Sequence, residues 1–235
     1  MTRVLLLPGL ASDAALWRAQ VRALADAGHE PIVTDVHARH ESLARMAQAL
    51  LAEHEGPLVL AGTSMGGILA LEVFRQAPER VVGLALLGSS ARADTPQTLR
   101  LRTEAIAMFE AGRMQEVLQA NLAFVFHPIN QSNLELVSDY FSMVGRAGAA
   151  QLVAQNRALM ARPDSRALLA SIRCPLLVAC GDSDVLTPLE CSQEIAAAVP
   201  GSVLEVLPEC GHLLTWERPE AVSGLLQQWL ARLSV

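Results

Sequence analysis

Short, continuous apolar runs rich in Val and Leu recur along the chain, and each run ends at Gly, Pro, Asp or Ser. Between these runs lie stretches in which apolar residues recur with the period of an α-helix. This alternation predicts a parallel sheet covered on both faces, and right-handed crossovers then make it a doubly wound α/β layer. The predicted strands are residues 4–7, 32–34, 58–61, 82–87, 176–179 and 203–207. The predicted helices are residues 14–27, 43–53, 65–76, 189–198 and 219–233.

One long region breaks the alternation. Residues 92–171 contain no strand-like run but hold four helix-period segments, at 98–111, 114–123, 133–143 and 147–160. We therefore predict an α/β core formed by residues 1–91 and 172–235, with a helical cap inserted at 92–171. Ligands of such sheets bind at the carboxyl ends of the strands, where this predicted cap would lie. A packed helical subdomain without a ligand role is the alternative.

Composition excludes several classes of function. The chain has 235 residues, 51% of them hydrophobic and 18% charged, which fits one domain with a large insertion. The net charge is −6 and there is no basic run, so we expect neither nucleic acid nor a membrane as a partner. All 18 basic residues are Arg. Without Lys the chain cannot form a pyridoxal-phosphate Schiff base or a Walker A motif.

The cysteines and the N-terminus favour a cytoplasmic protein. Cys174, Cys180, Cys191 and Cys210 form no CxxC pair, so we expect free thiols in a reducing compartment. The apolar run at residues 4–7 is too short for a signal peptide, and no run reaches transmembrane length.

Two histidines form the pattern H-x-x-H, followed by an acidic residue. His37, His40 and Glu41 make up this group. Their spacing differs from that of H-E-x-x-H metal sites, in which the two histidines lie on one face of a helix. We expect a surface loop there, and no metal.

The strongest chemical signal is Gly62-Thr63-Ser64-Met65-Gly66, which matches G-x-S-x-G between a predicted strand and a predicted helix. Such a turn must be very sharp and holds its serine in a strained conformation with the hydroxyl exposed. A side chain at Gly62 or Gly66 would collide with neighbouring backbone. The pattern predicts that Ser64 is a nucleophile.

A serine nucleophile needs a base and an acid that orients the base. His212 follows the last predicted strand after a short loop and is the best candidate base. Two aspartates, Asp182 and Asp184, follow the strand before it. We choose Asp184 as the acid, because Asp182 is better placed to cap its own loop; Asp94 is a weaker alternative. The remaining histidines fit a base less well: His29, His37, His40, His54 and His127.

An oxyanion hole requires two backbone N–H donors. The Met65 amide, directly after the nucleophile, supplies one at a helix N-terminus. We expect the second from the loop after the first strand, where Gly9 permits close approach; Leu10 is our choice and Ala11 is less favoured. An ordinary β-turn is the alternative for this loop.

Together these motifs resemble the α/β-hydrolase-fold serine hydrolases, and the resemblance covers nearly the whole chain. The elbow at 62–66, the G-x-x-D-x-x-x-P at 181–188 and Gly211-His212 stand in the family's order. The general likeness is to small bacterial carboxylesterases, including pimeloyl-ester esterases, and to enol-lactonases. The family's usual His-Gly after the first strand is Pro8-Gly9 here. The resemblance implies about six strands, without the family's first two.

The resemblance implies a serine hydrolase, most simply a carboxylesterase, that acts on a small ester, lactone or thioester through an acyl-enzyme on Ser64. Cleavage of a carbon–carbon or carbon–nitrogen bond by the same triad stays open, as does a non-catalytic binding protein. We expect no cofactor. Aromatic residues in the predicted cap favour a substrate with an apolar portion: Phe109, Phe124, Phe126, Tyr140 and Phe141. Arg157 and Arg162 could bind a substrate carboxylate, but pairing with Asp or Glu is the commoner role.

Overall fold

A single six-stranded sheet organises the protein. The computed structural model describes residues 1–233. Every neighbouring pair of strands is parallel, in the order β2-β1-β3-β4-β5-β6. The predicted doubly wound α/β class is confirmed, and the sheet is parallel throughout rather than mostly parallel. The strands are β1 (Arg3–Leu7), β2 (Glu30–Val33), β3 (Leu58–Thr63), β4 (Val81–Leu87), β5 (Leu176–Gly181) and β6 (Val203–Leu207).

The strands are apolar because helices cover both sheet faces. All six residues of β3 and all six of β5 are buried. The edge strands β2 and β6 are only partly buried, and they accordingly carry Glu30 and Glu205. The two apolar clusters of the core lie on opposite faces of the sheet, since alternate residues of β1 belong to different clusters. Parallel order places all six carboxyl ends at one edge.

Eleven helices are present between residues 1 and 233. The predicted helix at 14–27 starts as a 3₁₀ turn, Ala14–Trp17, which the Asp13 side chain caps. Short helices at 36–39, 166–169 and 214–217 were not predicted. The helices are α1 (Arg18–Asp26), α2 (Val36–Arg39), α3 (Leu43–Glu53), α4 (Met65–Gln76), α5 (Pro96–Glu110), α6 (Met114–Val125), α7 (Leu134–Met160), α8 (Arg166–Leu169), α9 (Leu189–Ala198), α10 (Leu214–Glu217) and α11 (Pro219–Leu230).

Four helices, α5 to α8, fill the connection between β4 and β5. The chain kinks inside α7 at Gly148, where φ is 72° and ψ is 169°, so the two helices expected at 133–143 and 147–160 adjoin each other there. Division of the molecule into a core and a cap remains a prediction. The last two positions of the predicted core range, 234 and 235, lie outside the described residues.

The expected surface loop around His37 and His40 is wrong. Residues Val36–Arg39 form α2, and His37 is only 3% exposed. Its Nε2 lies 2.8 Å from the carbonyl oxygen of Ser12, so the ring is fixed in the interior instead of solvated. Across residues 1–233, no group of three or more His, Cys, Asp or Glu side chains has the arrangement of a metal site.

All four cysteines are free thiols, and three of them are buried. Burial raises the pKa of the Cys174 thiol to about 11, which keeps it protonated. Within the described range, no helix combines the length and apolarity needed to cross a membrane.

Helix α4 packs against the end of β1, and no space is left there for a side chain at Gly66, the second residue of α4. A Cβ on Gly66 would overlap the Leu7 carbonyl oxygen, and it would lie 2.7 Å from the Leu7 carbonyl carbon. Backbone atoms of a central strand cannot move aside cheaply, because their neighbours are close-packed. The turn between β3 and α4 therefore depends on glycine at this position.

We predict that Gly66→Ala destabilises the protein by about 3 kcal/mol or more, because the added methyl group overlaps backbone. The matched control is Gly145→Ala in α7, where an added Cβ meets no atom within 4 Å. That control should be neutral or stabilising by up to about 1 kcal/mol. Urea unfolding followed by circular dichroism measures both. Equal stability of the two variants would contradict the packing account.

Candidate active site

Backbone strain is concentrated at the carboxyl edge of the sheet. Three non-glycine residues between positions 1 and 233 have positive φ: Ala11 at 56°, Ser64 at 51° and Glu209 at 50°. They follow β1, β3 and β6 respectively. Strained residues of this kind persist only where the surrounding structure fixes them, and they cluster at functional sites. The carboxyl edge of the sheet, where the sequence predicts ligand binding, is therefore also the edge at which the backbone is strained.

Ser64 occupies the turn between β3 and α4. Its φ and ψ are 51° and −116°, and α4 begins at the next residue. The Ser64 amide donates to the Leu87 carbonyl at 2.8 Å, and the Ser89 hydroxyl donates to the Ser64 carbonyl at 2.8 Å. The side-chain hydroxyl of Ser64 is left without a hydrogen bond to any of residues 1–233, so it is available to a reaction partner.

His212 and Asp184 form a buried pair. His212 Nδ1 lies 2.8 Å from Asp184 Oδ2, and the two side chains are 8% and 0% exposed. The carboxylate is held from its other side by the turn that follows it. Asp184 Oδ1 accepts from the amides of Leu186 and Thr187 at 2.9 Å each, and Oδ2 accepts from the Thr187 hydroxyl at 2.7 Å. These bonds fix the carboxylate against the imidazole.

The pair shifts both pKa values towards the charged forms. Burial favours the neutral form of each group, but the opposite charge and the hydrogen bond between them outweigh burial. The pKa of Asp184 is therefore lowered, and Thr187 contributes to the lowering through its amide and hydroxyl. The pKa of His212 is raised, with a further contribution from the Glu217 carboxylate. Nε2 of His212 is left to receive a proton, because Nδ1 faces the carboxylate.

The Asp184–His212 pair lies beside the end of β4, to which the Ser64 amide is hydrogen-bonded. Leu87 accepts the Ser64 amide, and the next residue, Gly88, is in contact with the pair. A Cβ built on Gly88 would lie 3.3 Å from Asp184 Oδ2 and 3.5 Å from His212 Nδ1. The structure thus brings Ser64, Asp184 and His212 to one place. No Ser64–His212 hydrogen bond is formed; such bonds are often long before substrate binds.

The two alternative acids have other partners. Asp182 accepts from the amides of Glu209 and Cys210 at 2.9 and 3.2 Å, so it caps the loop that carries His212. Asp94 is held by Arg102 and Arg162, each at 2.7 Å. Asp182 was expected to cap its own loop, but its carboxylate instead caps the loop after β6, which carries His212.

The loop after β1 lies against Ser64. Gly9 approaches Ser64 closely, since a Cβ there would lie 3.4 Å from the Ser64 Cβ. The Gly9 carbonyl accepts from the Ser12 amide at 3.2 Å, so the loop is a β-turn. The Ala11 amide is already bonded to the Gln155 side chain at 2.7 Å. Among the described residues, the amide of Leu10 has no partner.

Met65 supplies the corresponding free amide on the other side of Ser64. It is the first residue of α4, where N–H groups have no intrahelical partner. In the chain up to residue 233, no acceptor contacts this amide either. The two amides chosen from sequence, Leu10 and Met65, have no acceptor among residues 1–233, whereas the less favoured Ala11 amide is occupied.

Sequence reasoning gave no role to Glu217, which is 6% exposed. Its Oε1 accepts from the Gly211 amide at 2.9 Å, next to His212. Its Oε2 accepts from the His127 amide at 2.7 Å and from the Asn130 side chain at 2.9 Å. One carboxylate thus ties the His212 loop to the segment after α6. The sequence signal that could have pointed to Glu217 is a single Glu directly after the mostly apolar residues 213–216.

The two arginines considered for substrate binding are both paired. Arg157 bonds Glu110 at 2.7 Å on the surface, and Arg162 bonds Asp94 in the interior. Arg157 lines a groove of about 500 Å³ together with Glu41 and Phe109. None of the predicted catalytic residues lines this groove, so its size does not make it the active site.

Most aromatic residues of the predicted cap belong to its core. Tyr140 contacts Phe126 and Phe141 edge to face, with ring centroids 5.9 and 5.7 Å away. Phe109 is buried as well, whereas Phe124 is 48% exposed. Packing therefore accounts for Phe109, Phe126 and Tyr140, whereas Phe141 is only partly buried and Phe124 is exposed.

Comparisons with known proteins show the family to which the chain belongs. The profile of the alpha/beta hydrolase family matches residues 4–225. A Variovorax paradoxus protein named as a carbamate hydrolase, RutD, is 29% identical, covering 98% of this chain and 92% of its own. The pimeloyl-[acyl-carrier protein] methyl ester esterase of Neisseria meningitidis serogroup B is 25% identical, covering 92% and 83%.

A solved structure matches over the same extent. A thermophilic esterase from Thermogutta terrifontis superimposes with a TM-score of 0.92 at 28% identity, covering 99% of this chain and 90% of that one. The six-stranded parallel sheet, the glycine-supported turn at Ser64 and the family match over nearly all of the chain lead to one assignment. The chain belongs to the alpha/beta hydrolase family.

Proposed function

We propose that this protein is a serine hydrolase that cleaves a small carboxylic ester, lactone or thioester through an acyl-enzyme on Ser64. The observation that carries the proposal is the His212–Asp184 pair, bonded at 2.8 Å beside the strained turn of Ser64. A buried, charge-coupled imidazole adjoining an unbonded serine hydroxyl suits a nucleophile and its base.

The reaction begins when Ser64 attacks the substrate carbonyl carbon and His212 Nε2 takes the hydroxyl proton. Asp184 holds the imidazole with Nδ1–H towards its carboxylate and stabilises the imidazolium that forms. The raised pKa of His212 reflects the same interaction, since the charge of Asp184 favours the protonated ring.

The tetrahedral intermediate places negative charge on the former carbonyl oxygen. The unpaired amides of Leu10 and Met65 are suited to donate to that oxygen from two sides of Ser64. Each such donor lowers the barrier by roughly 2.7–4 kcal/mol in related serine enzymes. His212 then protonates the leaving alcohol, and a water molecule repeats the sequence on the acyl-enzyme. The cycle uses no metal or organic cofactor, and the partner is a small molecule.

A carbamate is the second candidate substrate, and the name of the Variovorax paradoxus relative favours it. Attack on a carbamate carbonyl uses the same three residues and the same oxyanion donors, but an amine leaves instead of an alcohol. Protonation by His212 then matters more, because an amine is a poorer leaving group than an alcohol. The esterase relatives favour the ester reaction.

We predict that Ser64→Ala lowers hydrolysis of p-nitrophenyl esters by at least about 10⁴-fold, because the acyl-enzyme cannot form. The assay runs a series from C2 to C12, and the optimal length measures the acyl pocket. Ser142→Ala is the matched control, since Ser142 is an exposed serine of α7.

Ser142→Ala should hydrolyse the esters at the wild-type rate. Ester hydrolysis by Ser64→Ala at that same rate would refute the assignment of the nucleophile. If the folded wild type is inactive on every ester, the same variants are assayed for release of an amine from a carbamate. Serine-dependent release would select the second candidate.

We predict that kcat/KM rises with pH through an inflection above the ordinary histidine value of about 6.5. The sign follows because the base must be neutral, and the raised pKa of His212 keeps it protonated to higher pH. In Asp184→Asn the inflection should move to lower pH and kcat should fall by about 10⁴-fold, since the amide no longer stabilises the imidazolium. A pH–rate profile measures both.

Asp182→Asn is the matched variant for this profile, because asparagine keeps the shape of the side chain and one of the two oxygens that accept from the loop amides. Its inflection should coincide with that of the wild type. If Asp182→Asn loses more activity than Asp184→Asn, Asp182 and not Asp184 is the acid that orients His212.

A further inference from the structure

Gln155 connects α7 to the loop after β1 and to α2, both at the carboxyl edge of the sheet. The side chain is buried, with the residue 1% exposed, and both ends of its amide are bonded to backbone. Oε1 accepts from the Ala11 amide at 2.7 Å, and Nε2 donates to the His37 carbonyl at 3.0 Å. The partners lie 144 and 118 residues away in sequence.

The two bonds fix the orientation of the Gln155 side chain. The amide of Ala11 offers only a donor and the carbonyl of His37 only an acceptor, so a flipped side chain would leave both unpaired. Unpaired polar groups in the interior are costly, which makes this arrangement rigid. Gln155 is therefore a fixed support for the loop after β1.

That loop is strained and carries the proposed oxyanion donor. Ala11 has φ of 56°, a conformation that a non-glycine residue keeps only where contacts hold it. Ser12 is held as well, through its carbonyl bonded to His37 Nε2 at 2.8 Å. Burial lowers the pKa of His37, so the ring is neutral and Nε2 carries the proton that it donates. Leu10 is left with a free amide.

We propose that Gln155 is a positioning residue that holds the loop 9–12 so that the Leu10 amide, and not the Ala11 amide, faces the oxyanion. The hydrogen bond to Gln155 occupies the Ala11 amide, so Ala11 cannot act as a competing donor. The same bond holds Ala11 in the strained conformation that orients the neighbouring Leu10 amide. The inference rests on the proposed function, because the oxyanion exists only if Ser64 attacks a carbonyl.

The main test is Gln155→Met, which keeps the volume of the side chain and removes both polar contacts. With p-nitrophenyl butyrate we expect kcat to fall by about 10- to 100-fold while KM changes by less than about 3-fold, since a displaced donor weakens only transition-state binding. Gln151→Met is the matched control: Gln151 lies one turn earlier on α7, and within the described chain its side chain makes no hydrogen bond. Its kcat should equal that of the wild type.

Gln155→Glu provides a second readout, in which kcat is expressed per folded enzyme, measured by circular dichroism at each pH, so that a change in stability does not move it. A protonated Glu carries the same acceptor and donor as Gln, whereas a carboxylate lacks the donor for the His37 carbonyl and adds charge near the oxyanion. The nearby titratable groups are His37 on α2 and Asp13 after β1, which Arg146 of α7 pairs at 2.7 Å. The ratio of variant to wild-type kcat should therefore rise at least about 10-fold as the pH falls and the buried Glu becomes protonated.

Three outcomes separate the claims. A loss of kcat in Gln155→Met with restoration of Gln155→Glu at low pH supports the positioning role. A kcat of Gln155→Met within 2-fold of Gln151→Met overturns that role, and if Ser64→Ala is inactive in the same assay, the proposed function stands. Full activity of Ser64→Ala overturns the proposed function itself. If Gln155→Met does not fold, the pH-dependent ratio of Gln155→Glu decides alone.

Discussion

Close approach of backbone to backbone at the turn after β3 is the constraint on which the site depends. Helix α4 meets the end of β1 with only a glycine hydrogen, at Gly66, facing the Leu7 carbonyl. This contact allows α4 to start directly after the strand and forces Ser64 into a positive φ. It also brings the loop after β1 against Ser64, since a Cβ on Gly9 would lie 3.4 Å from the Ser64 Cβ. A bulkier turn would separate Ser64 from the two proposed donors, the amides of Leu10 and Met65.

The helices between β4 and β5 are tied to both halves of the site. Helix α6 accepts the His212 amide at the Val125 carbonyl, at 3.0 Å, and Glu217 links the same loop to His127 and Asn130. Helix α7 holds the opposite loop through Gln155. These contacts join the loop of the proposed base and the loop of the proposed oxyanion donor to one helical segment, so a displacement of that segment would reach both. The segment therefore helps to shape the candidate site.

The sequence predicts what local patterns determine and misses what tertiary contacts determine. The six strands follow from continuous apolar runs, and the elbow follows from glycine spacing, because both are short-range requirements. His37 was misplaced in a surface loop, since only its bond to Ser12 explains its burial. Glu217 and Gln155 were missed because their partners are distant in sequence or are backbone groups, which carry no side-chain signal. The choice of Asp184 over Asp182 rested on local position, since Asp182 directly follows a turn glycine and Asp184 stands four residues before Pro188.

Covalent labelling with a fluorophosphonate probe tests the central claim, which is that Ser64 is activated as a nucleophile by His212. The labelled protein is digested, and the modified residue is located by mass spectrometry. The account predicts one phosphonylated serine, Ser64, with labelling abolished in Ser64→Ala and slowed at least about 10³-fold in Asp184→Asn. Folded wild-type protein that takes up no label, or takes it up at a serine other than Ser64, would contradict the account.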